Sequence, residues 1–194
     1  MTASPHSSLM SVEEYLQLDR TSREARYEYV DGFARMLVRG TPDHAKISVN
    51  IVGVLYSLLD DKPYSLYTSD VRVCLSSTRY VYPDVTVIAD GQRQGPADSV
   101  QHPRLIVEIL TAQSEAYDRG RKLAYYRECP TIQEYMLVNS QHPSIEVYRS
   151  EKDTLWRYHA FGTGDNVTLT SLDILFPLAK VYRNVVLPEE DDFS

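Results

Sequence analysis

The order of elements along this chain predicts a mixed α/β (α+β) fold, a central β-sheet flanked by helices. Three observations carry that expectation. Segments with helical spacing alternate with runs of strand-forming residues, in the order helix, hairpin, helix, strands, helix, strands. The first two helices open on recognisable caps. One run, "RLIVEIL" (104–110), is almost wholly apolar on both faces of a strand, the signature of a strand covered on both sides.

"MSVEEYLQL" begins with Ser11 and carries Glu14 three residues on, a capping box that starts a short helix. "YEYVDGFARMLV" sets Asp31-Gly32 between two strand-like runs, the strongest short hairpin signal. "TPDHAKISVNIVGVLYSLLDD" has Thr41 as N-cap and Pro42 at the first helical position. Its Ile47, Ile51, Val54, Leu55, Leu58 and Leu59 recur at helical spacing. "SLYTSDVRVCL" alternates and reads as one strand. "RYVYPDVTVIAD" places another strand from Val85, and a polar Gly/Pro loop from Gly91 to Pro103 leads into "RLIVEIL". "SEAYDRGRKLAYYREC" reads as a helix that Pro130 stops. "QEYMLVN", "SIEVYRS" and "TLWRYHAF" read as three more strands, the last two paired around "EKD". "LDILFPLAKVY" is ambiguous in period.

A length of 194 residues is enough for one domain with a sizeable core, expected over 1–187, with an acidic tail at 188–194. Cys74 and Cys129 lie far apart and form no CxxC pair, so no disulfide framework is indicated and a cytoplasmic location is expected. No apolar run reaches the length of a membrane span, and "MTASPHSSLMSVEEY" lacks a signal-peptide core. The net charge of −7 argues against a non-specific nucleic-acid binder. Four of the acids fall in "PEEDD"; without them the body carries about −3, which leaves room for a local basic surface. The chain has no P-loop, GxGxxG, GxSxG or HExxH, and its histidines are scattered.

Two acids draw attention. Glu108 interrupts a strand that is otherwise apolar on both faces, and burying an ionised carboxylate costs several kcal/mol unless it is paired or bound to a metal. Asp84 stands just before Val85. An antiparallel register that sets 84 opposite 108 also sets 88 opposite 104 and brings both carboxylates to one face. Taken singly, Asp84 reads as a turn or capping residue after Pro83, and Glu108 as a strand-end acid. As a pair they repel, and a divalent cation is the usual reason to build such a site. On the following helix Asp118 and Lys122 stand four residues apart, with Tyr125 and Tyr126 about a turn further on, so Lys122 can reach back over the strand end. An ordinary Asp–Lys pair on a solvated face has the same spacing. Arg119, Arg121 and Arg127 make this helix the most basic part of the chain.

These residues carry a resemblance. "YPDV", "VEIL" and "AYDRGRKLAYY" resemble the PD-(D/E)xK nuclease superfamily, and more narrowly the Uma-two family of restriction-endonuclease-like proteins. "YEYVDG", "SDVRV" and "QEYMLVN" are also similar to segments of that family, in the same order. The resemblance runs from about "MSVEEYLQL" to "SIEVYRS". It implies a restriction-endonuclease-like mixed sheet flanked by helices. It also implies hydrolysis of phosphodiester bonds in DNA with Mg²⁺ (or Mn²⁺). Asp84 matches the motif Asp and Glu108 the motif acid, both expected to bind the metal with help from the Ile109 carbonyl. The superfamily Lys usually stands two residues past the acid, where this chain has Leu110; the family pattern moves it to the next helix, where Lys122 matches. Glu28 matches an additional acid of such sites. His44 and Asp70 lie in matching segments without a defined role. Two copies cutting two strands would make a homodimer. One departure stands out: Thr111-Ala112-Gln113 replaces a Ser-Pro-Ser-like loop, which leaves open how Lys122 is aimed. The alternative from another class is an inactive protein that keeps the nuclease fold as a binding or dimerisation module. A carboxylate-pair glycosidase would give Lys122 no clear role.

Overall fold

The computed structural model describes residues 9–37, 40–91, 95, 98–151 and 155–188. The expected acidic tail therefore lies, from residue 189 on, outside the described residues. Helix α1 (Val12–Thr21) starts at the Ser11–Glu14 capping box, with both reciprocal bonds formed. The hairpin β1 (Tyr27–Val30) and β2 (Phe33–Met36) turns at Asp31 and Gly32, whose φ values of 48° and 96° are those a two-residue primed turn demands. Helix α2 (Pro42–Leu59) has Thr41 as its N-cap. Its Ile47, Ile51, Leu55 and Leu59 are buried, while Val54 and Leu58 pack beside them. Each fully buried side chain of this kind is worth roughly 1.5–3 kcal/mol.

The main sheet has six strands in the order β11-β10-β9-β8-β6-β3. They are β3 (Tyr64–Thr68), β6 (Val85–Ala89), β8 (Pro103–Leu110), β9 (Glu134–Asn139), β10 (Ile145–Ser150) and β11 (Trp156–Phe161). Strand β8 is central and buried on both faces, as its sequence predicts. Leu105, Val107 and Ile109 face α2 and the terminal hairpin β12 (Asn166–Leu169) with β13 (Ile174–Pro177). Ile106 and Leu110 face the opposite way, toward Tyr126 and Cys129 of the helical segment 115–128 and its end. Among the described residues no helix is long and apolar enough to cross a membrane.

A second sheet, β2-β1-β5-β4-β7, lies on that far side, and Val73, Val81 and Val100 join it to the core. Its remaining strands are β4 (Arg72–Ser76), β5 (Arg79–Val81) and β7 (Ser99–Val100). This sheet corrects three expectations. "SLYTSDVRVCL" is two strands, β3 and β4, in different sheets. The chain turns between them, with the Val71 amide bonded to the Thr68 carbonyl, and Arg26 clamps the turn through Ser69 O (2.6 Å) and Asp70 Oδ1 (2.5 Å). The Gly91–Pro103 stretch holds β7, which pairs parallel with β4, and Pro103 already belongs to β8. The β6–β8 register runs Val85↔Val107, so 84 does stand across from 108. A bulge after Val87 then sets Ile88 opposite Pro103, not Arg104.

Candidate active site

Between residues 82 and 84 the chain leaves the second sheet at β5 and enters the main sheet at β6. Asp84 sits at that crossing, on the floor of a cleft of about 1180 Å³. Strand β1 of the second sheet brings Glu28, β8 of the main sheet brings Glu108, and the helical segment 115–128 brings Asp118 and Lys122. The Lys122 Nζ lies 2.9 Å from Glu28 Oε1, 2.9 Å from Glu108 Oε1 and 3.6 Å from Asp118 Oδ1. The Tyr126 hydroxyl donates to Glu108 Oε1 at 2.7 Å, and the Tyr82 amide donates to Glu28 Oε1 at 3.3 Å. Asp84 Oδ2 accepts the Ile109 amide at 2.7 Å, and its Oδ1 lies 3.4 Å from His44 Nε2.

Charge in this floor is unbalanced. Glu28, Glu108, Asp118 and Lys122 are all buried, and Asp84 is nearly so. Burial alone would lower the Lys122 ammonium, but Glu108, Glu28 and Asp118 outweigh it and hold its pKa well above the ordinary value. Burial raises Glu108 well above the carboxylate range; Lys122 opposes this, while Asp118, Asp84 and Glu28 reinforce it. Asp118 is raised for the same reason, chiefly by burial. His44 is raised: burial works against the charged form, and Asp84 overrides it. Four acids, Glu28, Asp84, Glu108 and Asp118, thus share this floor with Lys122 and His44. One oxygen, Glu28 Oε2, is buried without any partner. Among the described residues no three His, Cys, Asp or Glu side chains converge tightly enough to cage a metal by themselves. Mg²⁺ does not require such a cage: it is held by one or two carboxylates and keeps the rest of its shell in water and substrate oxygens. The residues present fit it.

Every acid and the lysine that the sequence singled out as central thus line one cleft. Glu28 is the clearest gain, because its position before a hairpin turn also suits an exposed acid, yet it is 1% exposed. Asp70 stands at the rim, exposed and held by Arg26, apart from the Lys122 cluster. Asp118 was legible only as the i−4 partner of Lys122, and Tyr126 only as a helix tyrosine. Both are buried beside Glu108. The missed signal is the geometry of Asp118–Lys122, a π-helical turn between α-helical Glu115–Tyr117 and Leu123–Glu128. Such single-turn insertions gather at functional sites. The departing loop is also accounted for. Thr111 and Ser114 clasp each other, each amide donating to the other's side-chain oxygen at 3.2 Å, and the Glu115 amide closes on the Thr111 carbonyl at 2.9 Å. A Thr–Ser clasp therefore launches the helix that carries Lys122.

With this geometry in hand, the chain can be set beside known proteins. It is 32% identical over 177 residues to uncharacterized protein slr1290 of Synechocystis sp., covering 91% of this chain and 93% of that one. A second relative from the same organism, uncharacterized protein sll1609, is 28% identical over 153 residues, 77% of this chain and 86% of the other. In three dimensions the chain resembles a crystal structure from Anabaena variabilis described as "a putative nuclease belonging to DUF820". The TM-score is 0.72 at 16% identity, over 89% of this chain and 97% of that one. The fold is therefore shared with that protein. Residues 12–178 match the Uma2 model, described as "Putative restriction endonuclease", and this chain belongs to that family.

Proposed function

We propose that this protein is a divalent-metal-dependent endonuclease that hydrolyses phosphodiester bonds in DNA. One observation carries the reading: a buried lysine bonded to Glu28 and Glu108 at the floor of an open cleft, next to Asp84. A lysine kept charged among acids at the end of a central strand has no packing role that an apolar side chain could not fill better. Family membership and the shared fold support the same reading.

Asp84 and Glu108 would hold the cation, with the Ile109 carbonyl beside them. Bound there, Mg²⁺ or Mn²⁺ would supply Lewis-acid charge to the phosphoryl oxygens and lower the pKa of a water. The protein's own groups do the rest. Lys122 presents a fixed positive charge to the negative charge that builds in the transition state, and its donors orient the attacking water. Glu28 and Asp118 hold the ammonium charged and aimed. Tyr126 fixes Glu108 in one rotamer through its hydroxyl. His44 holds Asp84 from the α2 side, while the Ile109 amide holds it from β8. Two copies, each cutting one strand, would act as a homodimer.

The experiment is direct. Purified protein is incubated with supercoiled plasmid and Mg²⁺ or Mn²⁺, and nicking is followed on gels. Cleavage should be abolished by EDTA and reduced at least a hundredfold by Lys122→Ala, Asp84→Ala or Glu108→Ala, the scale of losing one oriented charge at a transition state. Cleavage that survives all three substitutions would exclude this site. DNA binding with no cleavage under any metal would instead support a nuclease fold kept as a binding module.

A further inference from the structure

The cleft floor is acidic, so a polyanionic strand must be drawn in by something on the walls. Arg35, on β2, is placed to do this. It is the cross-strand partner of Glu28, so the two side chains project to the same face of the second sheet. Glu28 does not take Arg35 as a partner; its Oε1 receives Lys122 and the Tyr82 amide, and its Oε2 has no hydrogen-bond partner. Arg35 instead lies over the ring of Tyr117, with its guanidinium carbon 3.9 Å from the ring centre. Among the described residues it makes no ion pair. The contrast with its neighbour is direct. Arg26 lines the same wall but is bonded to Asp70 and to the Ser69 carbonyl.

Stacking on Tyr117, whose hydroxyl also takes a hydrogen bond from Arg35, fixes the plane of the guanidinium, and its remaining N–H groups suit two oxygens of one phosphate. Tyr117 ties that edge to the reaction centre: it precedes Asp118, and its ring centre is 5.9 Å from Lys122 Nζ. We infer that Arg35, held on Tyr117, is a phosphate clamp that seats a backbone phosphate of the nucleic-acid strand next to the one presented to Lys122. The clamp rests on the nuclease reading but is not implied by it. A strand could equally be held by the basic outer face of the helical segment 115–128. As a contact to backbone, the clamp gives affinity and register without reading base sequence.

The test measures binding apart from cleavage. Fluorescent oligonucleotides, double- and single-stranded DNA and RNA of one unrelated sequence, are titrated into full-length protein with Ca²⁺ in place of Mg²⁺, across a salt series. Arg35→Ala should weaken binding about tenfold on each probe that wild type binds and lower the slope of log Kd against log salt by about 1, the signature of one lost phosphate contact. Arg35→Lys, which keeps charge but loses the planar fork, should fall between. In cleavage assays with Mg²⁺, Arg35→Ala should raise KM while changing kcat by no more than about threefold, as loss of uniform binding does. Arg183→Ala, at an exposed arginine outside the cleft, is the control for net charge. Circular dichroism melts confirm that the variants are folded. If wild type binds and cleaves but Arg35→Ala keeps its affinity and salt slope, the clamp is overturned and the nuclease reading stands. If wild type binds none of the four probes and cuts nothing, the nuclease reading fails and the clamp with it.

Discussion

Glu108 carries a sharp electrostatic conflict. It is 5% exposed, yet it faces Lys122, Tyr126 and three other acids. Its raised pKa, caused first by burial, means that the folded protein binds this proton more tightly than the unfolded chain does. The stability it contributes is therefore complete below the unfolded pKa, about 4, and is lost as pH rises through the raised value. Glu108→Gln keeps an acceptor for Lys122 and Tyr126 and removes the charge. In cation-free buffer at neutral pH the variant should be more stable than wild type by on the order of 1 kcal/mol. Its stability should also vary less than that of wild type between about pH 5 and pH 8. Asp84→Asn should go the other way. Its carboxylate takes the Ile109 amide and faces His44, whose pKa is raised: burial opposes the charged form and Asp84 overrides it. Removing that charge leaves the imidazolium uncompensated, a loss of roughly 1 kcal/mol that grows toward acid pH. Urea melts at the two pH values check both signs. A Glu108→Gln protein less stable than wild type at the higher pH would mean that Glu108 is held as the charged partner of Lys122.

Local signals wrote most of the elements, and tertiary contacts wrote the rest. The Ser11–Glu14 box, Thr41-Pro42 and Asp31-Gly32 act within a few residues, so α1, α2 and the first hairpin could be read directly. The break between β3 and β4 could not, because "SLYTSDVRVCL" alternates straight through it. What breaks the strand is a turn at Ser69-Asp70 clamped by Arg26, more than forty residues earlier in the chain. Strand β12 carries no strong period, and its partner is β13, which returns against it. The π turn at Asp118–Lys122 was equally hidden, since its polar side chains suit a solvated helix until Glu28 and Glu108 meet them from two sheets. That turn is aimed by the Thr111–Ser114 clasp, which does the work expected of a different loop sequence. Thr111→Val and Ser114→Ala should each cost about 1 kcal/mol of stability, the usual net worth of a hydrogen bond. The double variant should cost less than the two singles together, because each removes the same reciprocal contact. Plasmid cleavage should fall mainly through kcat, with Lys122 mis-aimed while the cleft stays open. Additive losses would show that the two residues act separately.

The site exists only in the assembled molecule. Glu28 belongs to one sheet, Glu108 to the other, Asp84 to the segment that crosses between them, and Lys122 to a helical segment packed against both. No window of sequence contains it, so the positions could be matched in advance but the burial and the bonds between them could not. The same assembly gives the proposed cation role a thermodynamic consequence. In the unfolded chain these acids are separate, whereas in the folded protein they are brought together around Lys122 and His44. A cation that binds the folded state alone shifts the folding equilibrium toward it. At about a hundred times its dissociation constant the shift is roughly 2.7 kcal/mol. Mg²⁺ should therefore raise the melting temperature of wild type well beyond a NaCl buffer of equal ionic strength, which supplies only screening. Glu108→Gln, already relieved of its charge, should gain little from Mg²⁺, and so should Asp84→Asn. Asp70→Asn is the informative control. Asp70 lines the same cleft but is exposed and engaged by Arg26, so its variant should respond to Mg²⁺ as wild type does. Thermal melts of these four proteins in matched Mg²⁺ and NaCl buffers decide the matter. Equal melting points in the two buffers for wild type would remove the cation from the floor, and an Asp70→Asn protein that no longer responds would move it to the rim.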